Sequence, residues 1–195
     1  MEAFSAQLHA EALRRGLGRA KRVIVAGDGA AWIWNLAQDR FKEAVQRVDL
    51  YHVKQLLWAA VQALYSDPAQ AKVWMRKMKN LLRRSQCVKV IHTLEEALHD
   101  MQETQAARRT VEKEIHYLKN NQNRMDYASA IARGEPVGSG AIESTCRQYQ
   151  CRMKRPGQFW TPKGDEALLN LESAWRNQRW QWLFPHIAGF HPSKN

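Results

Sequence analysis

Residues 23–34 read VIVAGDGAAWIW, and this stretch decides the fold. A continuous apolar, β-branched run closed by glycine predicts a strand buried on both faces rather than a half-exposed one. Beyond the Gly-Asp-Gly turn, Trp32, Ile33, Leu36 and Ala37 have helical spacing. Downstream, EAVQRVDLYHVKQLLWAAVQALY places a short strand around Val45 to Val48, then Asp49 and His52 at the mouth of a helix with Val53, Leu56, Leu57, Ala60, Val61 and Leu64. Strand, helix, strand, helix predicts parallel α/β organisation. Two parallel strands alone make an insufficient core.

The flanks read as helical. Residues 1–20 set Phe4, Leu8, Ala12 and, nearby, Leu13 on one face and stop at Gly16 and Gly18. From Asp67 to Ala132 the pattern is helical throughout: Val73, Met78, Leu81 and Leu82 in a basic helix, Ile91, Leu94, Leu98 and Met101 in the next, then Val111, Ile115 and Leu118. Each stripe is narrow with densely charged flanks, which predicts a helical insertion, not a second globular domain. The glycines and Pro136 of RGEPVGSGAIE break the pattern, and a new helix starts near Ser139 or Gly140. Ile142, Cys146, Tyr149 and Met153 form its apolar face, beside Glu143, Arg147, Gln150 and Lys154. A loop, a helix from about Gly164 to Trp175 and a tryptophan-rich end follow. The expected fold class is therefore α/β but predominantly helical, with a partial core in residues 1–66, an all-helical insertion in 67–132, and a return to the core in 133–195.

The 195 residues carry 30 Lys and Arg against 19 Asp and Glu, a formal net charge of +11. A polyanion is the partner such a chain suits, nucleic acid ahead of an anionic membrane surface. Eight tryptophans and 45% hydrophobic residues exclude a disordered chain. Cys87, Cys146 and Cys151 form no CxxC pair, so neither a disulfide framework nor a structural zinc site is indicated. With no signal-like opening and no run of roughly 20 apolar residues, a soluble cytoplasmic protein is expected.

GDGAAW poses a choice of chemistry. A dinucleotide fingerprint needs G-x-G-x-x-G, and Trp32 stands where its third glycine belongs. If instead Asp28 is the working group, its carboxylate sits at the C-terminal end of a strand, where α/β sheets place ligands, and the glycines leave room for a metal ion and a phosphodiester. Asp28 could equally N-cap the next helix, and Asp49 presents the same alternative. Glu143, in the first turn of its helix, suits a magnesium ligand or an i,i+4 pair with Arg147. His52 reads as a packing histidine or a ligand. Arg147, Arg152, Lys154 and Arg155 could contact phosphates while Phe159 and Trp160 stack on bases. Trp175, Trp180 and Trp182 read as core or interface anchors.

Taken in order, DGA-x-WIW, VDLYH, GSG-x-x-E and RMKR-x-G-x-x-W extend over nearly the whole chain. Together they resemble the C-terminal portion of bacterial insertion-sequence transposases of the ISKra type. The resemblance implies an RNase H-like DDE fold, incomplete here, in which two aspartates and a glutamate hold two divalent metals, Mg2+ or Mn2+. Asp28 takes the place of the second aspartate and Glu143 that of the glutamate. Asp49 and His52 match a D-x-x-H element, and with Gly138 and Ser139 they would border the site. The first aspartate would precede residue 1, so the chain is expected to be catalytically incomplete alone. The implied chemistry is metal-assisted attack on a phosphodiester by water and then by a DNA 3′-hydroxyl. Implied partners are double-stranded DNA at transposon ends, and a second copy or an N-terminal transposase part. The implied location is the nucleoid. The alternative is a non-catalytic DNA-binding or regulatory protein derived from such an enzyme.

Overall fold

The computed structural model describes residues 2–102 and 104–183. The chain forms two compact units, Met1–Ser139 and Gly140–Asn195. In the first, helix α1 (Glu2–Arg14) precedes strand β1 (Ile24–Gly27), helix α2 (Ala31–Arg40) and strand β2 (Val45–Val48). Helices α3 (Leu50–Leu64), α4 (Pro68–Arg83), α5 (Cys87–His99), α6 (Gln105–Asn121) and α7 (Tyr127–Ala132) follow. The fold is α/β and predominantly helical, as expected. β1 and β2 form a parallel two-stranded sheet in the register Ile24↔Val45 to Gly27↔Val48, with α2 as the crossover.

Helix starts follow local chemistry. Asp67 accepts from the Ala69 N–H at 2.8 Å, and Pro68 opens α4, where a missing N–H costs nothing. Thr104 caps α6 through the Ala107 N–H at 3.3 Å, and Asp126 caps α7 through the Ser129 N–H at 3.2 Å. The core is built around α3, whose Val53, Leu57 and Ala60 meet Met75, Met78 and Leu82 of α4 and Val111, Ile115 and Leu118 of α6. Val90, Ile91 and Leu94 of α5 close the cluster against α6. Full burial contributes about 1.5–3 kcal/mol per large apolar side chain, so the helices of 67–132 supply most of the stabilising burial, not the sheet.

Several sequence expectations change accordingly. β1 is half-buried along its whole length, not buried on both faces, because it pairs with a single strand. α1 forms as expected, but Phe4, Leu8 and Leu13 stay exposed; Phe4 meets Trp32 edge-on at 6.4 Å. Trp32 is likewise exposed, and Trp34 is the buried indole of α2, with the Arg124 guanidinium 4.8 Å from its ring centre. Val73 faces outward on α4, and Ala71 and Met75 take its place in the core.

The second unit comprises α8 (Gly140–Met153), α9 (Pro162–Arg176) and the short α10 (Trp180–Leu183). Thr161 caps α9 by accepting from the Gly164 N–H at 3.1 Å. Tyr149 and Ser173 hydroxyls bond at 3.0 Å, joining α8 to α9. Of the predicted apolar face of α8, Met153 is buried and Ile142 and Cys146 are exposed. Trp175 and Trp180 pack edge-to-face at 6.0 Å, with Trp175 exposed and Trp180 half-buried, so Trp175 is not a core residue. The side chain of Trp182 lies outside the described residues.

Candidate functional site at the sheet end

Parallel register carries the chain from Gly27 and Val48 into Asp28 and Asp49, side by side at the C-terminal ends of the strands. The Asp49 N–H donates to the Gly27 carbonyl at 2.8 Å, extending the ladder into the site. The two glycines around Asp28 allow close approach, and Gly29 is the one the backbone requires. A Cβ on Gly27 would lie 2.7 Å from Ile33 Cδ1; Gly29 has φ +96° and stands against the Tyr117 ring. Tyr117, from α6, donates its hydroxyl to the Asp28 carbonyl oxygen at 2.6 Å and fixes the turn. The exposed Asp28 carboxylate accepts one hydrogen bond through Oδ1, from the Ala30 N–H at 3.0 Å. Ala30, not Asp28, occupies the N-cap position of α2.

Asp49 has the opposite surroundings. Only 3% exposed, it caps α3, with Oδ1 accepting from the Tyr51 N–H at 2.6 Å and the His52 N–H at 3.4 Å. Its Oδ2 accepts from the Ser139 N–H at 2.8 Å and from the Ser139 hydroxyl. Burial would raise its pKa, but the Ser139, Tyr51 and His52 hydrogen bonds outweigh burial and hold the carboxyl below the ordinary carboxylate range. Gly138 makes the approach possible, since a Cβ there would lie 2.6 Å from both Asp49 Oδ1 and Tyr51 Cδ2.

An ion cluster centred on the buried Arg47 holds this loop in place. Arg47, 2% exposed on β2, donates to the Pro136 carbonyl at 2.8 Å and to Glu135 Oε2 at 2.6 Å. Glu135 also pairs with Arg133 and Arg22, both at 2.8 Å. The hydrogen bonds from Arg133 and Arg47 depress the Glu135 pKa to about 2. The Leu50 N–H donates to the Val137 carbonyl at 2.9 Å, so residues 135–139 lie along the end of β2.

His52 meets the Tyr117 ring edge-on at 5.8 Å. Glu114, one turn before Tyr117 and 4% exposed, has Oε2 without a hydrogen-bond partner among the described residues. Burial raises its pKa, opposed by the charges of Lys113 and His52. Sequence reasoning missed Glu114, Tyr117 and the Arg47–Glu135 pair. The signal for Glu114 was present: it is an acid on the Val111, Ile115, Leu118 stripe.

The second unit holds the other predicted residues. Glu143 lies in the first turn of α8, and Arg147 is exposed one turn later. Lys154, Arg155 and Trp160 line a concavity of about 870 Å³ with Tyr149, Met153 and Leu169. The Trp160 indole N–H donates to the Met153 carbonyl and Arg155 Nε to the Cys151 carbonyl, both at 2.9 Å. Arg152 Nε lies 3.6 Å from Glu172, and Phe159 is 93% exposed.

Within these surroundings the carboxylates do not make a complete metal site. Asp49 spends both oxygens on four donors, and among the described residues no group of three or more His, Cys, Asp and Glu side chains could hold a metal ion. No helix among the described residues is long and apolar enough to cross a membrane. The model of a protein family described as uncharacterised matches residues 14–181. No curated protein and no solved structure matches.

Proposed function

We propose, from the premise that this chain belongs to the uncharacterised protein family UPF0236, that it is the C-terminal part of an RNase H-like DNA transposase. It would engage double-stranded DNA and contribute Asp28 and Glu143 to phosphodiester chemistry. One observation carries this: the carboxylate of Asp28 is exposed at the C-terminal end of a parallel strand, on a turn with Gly29 at positive φ and the Tyr117 hydroxyl bonded to the Asp28 carbonyl. Ligands of parallel α/β sheets collect at that end. The motif order DGA-x-WIW, VDLYH, GSG-x-x-E and RMKR-x-G-x-x-W supports the transposase assignment, and the net charge of +11 supports DNA as substrate. Asp49 acts here as a positioning residue, fixing the start of α3 and the Gly138–Ser139 loop beside Asp28.

Because the described side chains do not complete a metal site, Mg2+ or Mn2+ would need a further acidic ligand, and the 195-residue chain alone is expected to leave DNA uncut. A second reading, a non-catalytic DNA-binding protein of the same descent, is favoured by the incomplete set of metal-holding side chains among the described residues. Excision of the genomic locus, carried on a plasmid and scored by amplification across the junction, separates the two. The transposase reading expects excision to fall by about 100-fold or more in Asp28→Asn and in Glu143→Gln, the scale of losing a group that acts in the transition state. Excision at the original level in both variants overturns it.

A further inference from the structure

α4 carries Lys72, Arg76, Lys79 and Arg83 at spacings of four, three and four, which place all four on one helical face. All are exposed, and neither α3 nor α4 contains an acidic residue. Among the described residues none of the four cations makes an ion pair or hydrogen bond. The second unit differs, for there Glu172 engages both Arg152 and Arg176. Facing the stripe, α3 contributes Tyr51, Lys54, Gln55 and Trp58, and with Met75 and Lys79 they line an open groove of about 370 Å³. The Lys54 ammonium sits 4.6 Å from the centre of the Tyr51 ring, which is 54% exposed. Tyr51 also ties the groove to the sheet end, since its N–H bonds to Asp49 and its ring lies against Gly138.

We propose that the groove between α3 and α4 is a DNA-binding channel, in which the phosphates of one strand follow Lys72, Arg76, Lys79 and Arg83 and an unpaired base enters beside Tyr51 and Trp58. The proposal rests on the reading of the chain as a DNA-acting protein and adds a surface on α3 and α4 that shares only Tyr51 with the VDLYH motif. Charge complementarity selects the occupant: a row of cations with no acid on either helix is relieved by a linear polyanion. Burial and the neighbouring Lys79 and Arg83 charges lower the Lys54 pKa against the pull of Asp49, so the groove's cations crowd one another. The aromatic walls select a nucleic acid, because every base offers a face for stacking.

The test measures affinity of the full chain for a fluorescent single-stranded 20-mer, the matching blunt duplex, and phosphatidylglycerol vesicles, across a potassium chloride series. K72Q/R76Q/K79Q/R83Q alters exposed side chains only, and circular dichroism checks that it folds. It is expected to lose at least about 10-fold in DNA affinity and about 3 from the magnitude of the salt slope. Tyr51→Ala is expected to lose about 5- to 100-fold on the single strand and less on the duplex. Iodouracil placed in the 20-mer should cross-link to Tyr51 or Trp58, a readout independent of any variant. Wild-type binding that the quadruple variant leaves unchanged, or cross-links confined to other segments, overturns the channel while the DNA reading stands. A wild type with no salt-dependent affinity for either DNA overturns both. Quadruple substitution that weakens vesicle binding alone assigns the groove to lipid and overturns the proposal. If the channel variants weaken DNA binding while excision ignores Asp28 and Glu143, the channel stands and the transposase reading falls.

Discussion

Asp28 and Asp49 leave adjacent strands at paired positions, yet one carboxylate is exposed with a single donor and the other is buried with four. The backbone treats them alike; a loop ninety residues further on does not. Ser139 reaches Asp49 because Gly138 lacks a side chain and because Arg47 and Glu135 clamp the segment before it. An acid at a strand end is thus available for chemistry only where nothing else docks on it.

The comparison is most exposed to test at Asp49. Asp49→Ala removes a helix cap and leaves the part-buried N–H donors of Tyr51 and Ser139 without their acceptor, so unfolding stability should fall by about 1–3 kcal/mol. A lower urea midpoint with unchanged slope is the expected signature. A loss no larger than that of an ordinary surface substitution would erase the distinction.

A smaller effect concerns acid. The folded pKa values of Asp49 and Glu135 lie below their ordinary values, Glu135 at about 2 against 4.5. The unfolded chain therefore takes up protons first as pH falls. The stability these groups contribute is complete above the unfolded pKa and is lost on descending through the folded one, from about pH 5 toward pH 2. Urea titrations across that window should show a falling midpoint, with a shallower fall in Asp49→Ala. A midpoint flat to pH 3 would contradict the hydrogen-bonding described.

Asp28→Ala should change least, by less than about 1 kcal/mol, since an exposed carboxylate with one backbone hydrogen bond holds little together. The same titration measures it. A loss approaching that at Asp49 would make the two strand ends equivalent and return Asp28 to a structural role.

Local patterns made much of this legible in advance. Period and capping residues marked β1, α2, β2 and α3, and strand-Asp-x-x-helix already contained the Asp49 cap. What depends on distant partners was not legible. The apolar run of β1 reads as fully buried, but burial depends on how many strands flank it, and one does. The stripe of α1 carries no information on whether a neighbour exists to cover it. Arg47 sits among β2 residues where an arginine looks misplaced, and its partner Glu135 is 88 positions away. Glu114 could have been found, since an acid within an apolar stripe is a local inconsistency of the kind that marks strain or function.

The tethers at the sheet end have a kinetic consequence. Tyr117 to Asp28, Ser139 to Asp49 and Glu135 to Arg47 each join residues 88 to 90 positions apart. Helices α3 to α6 are joined by short connections and can pair through contacts close in the chain, whereas the strand-end contacts must wait until the intervening helices have collapsed and shortened the loop to be closed. The sheet end is therefore expected to assemble last during folding. Mutations there should mainly speed unfolding, while those in the α3–α6 core should slow folding.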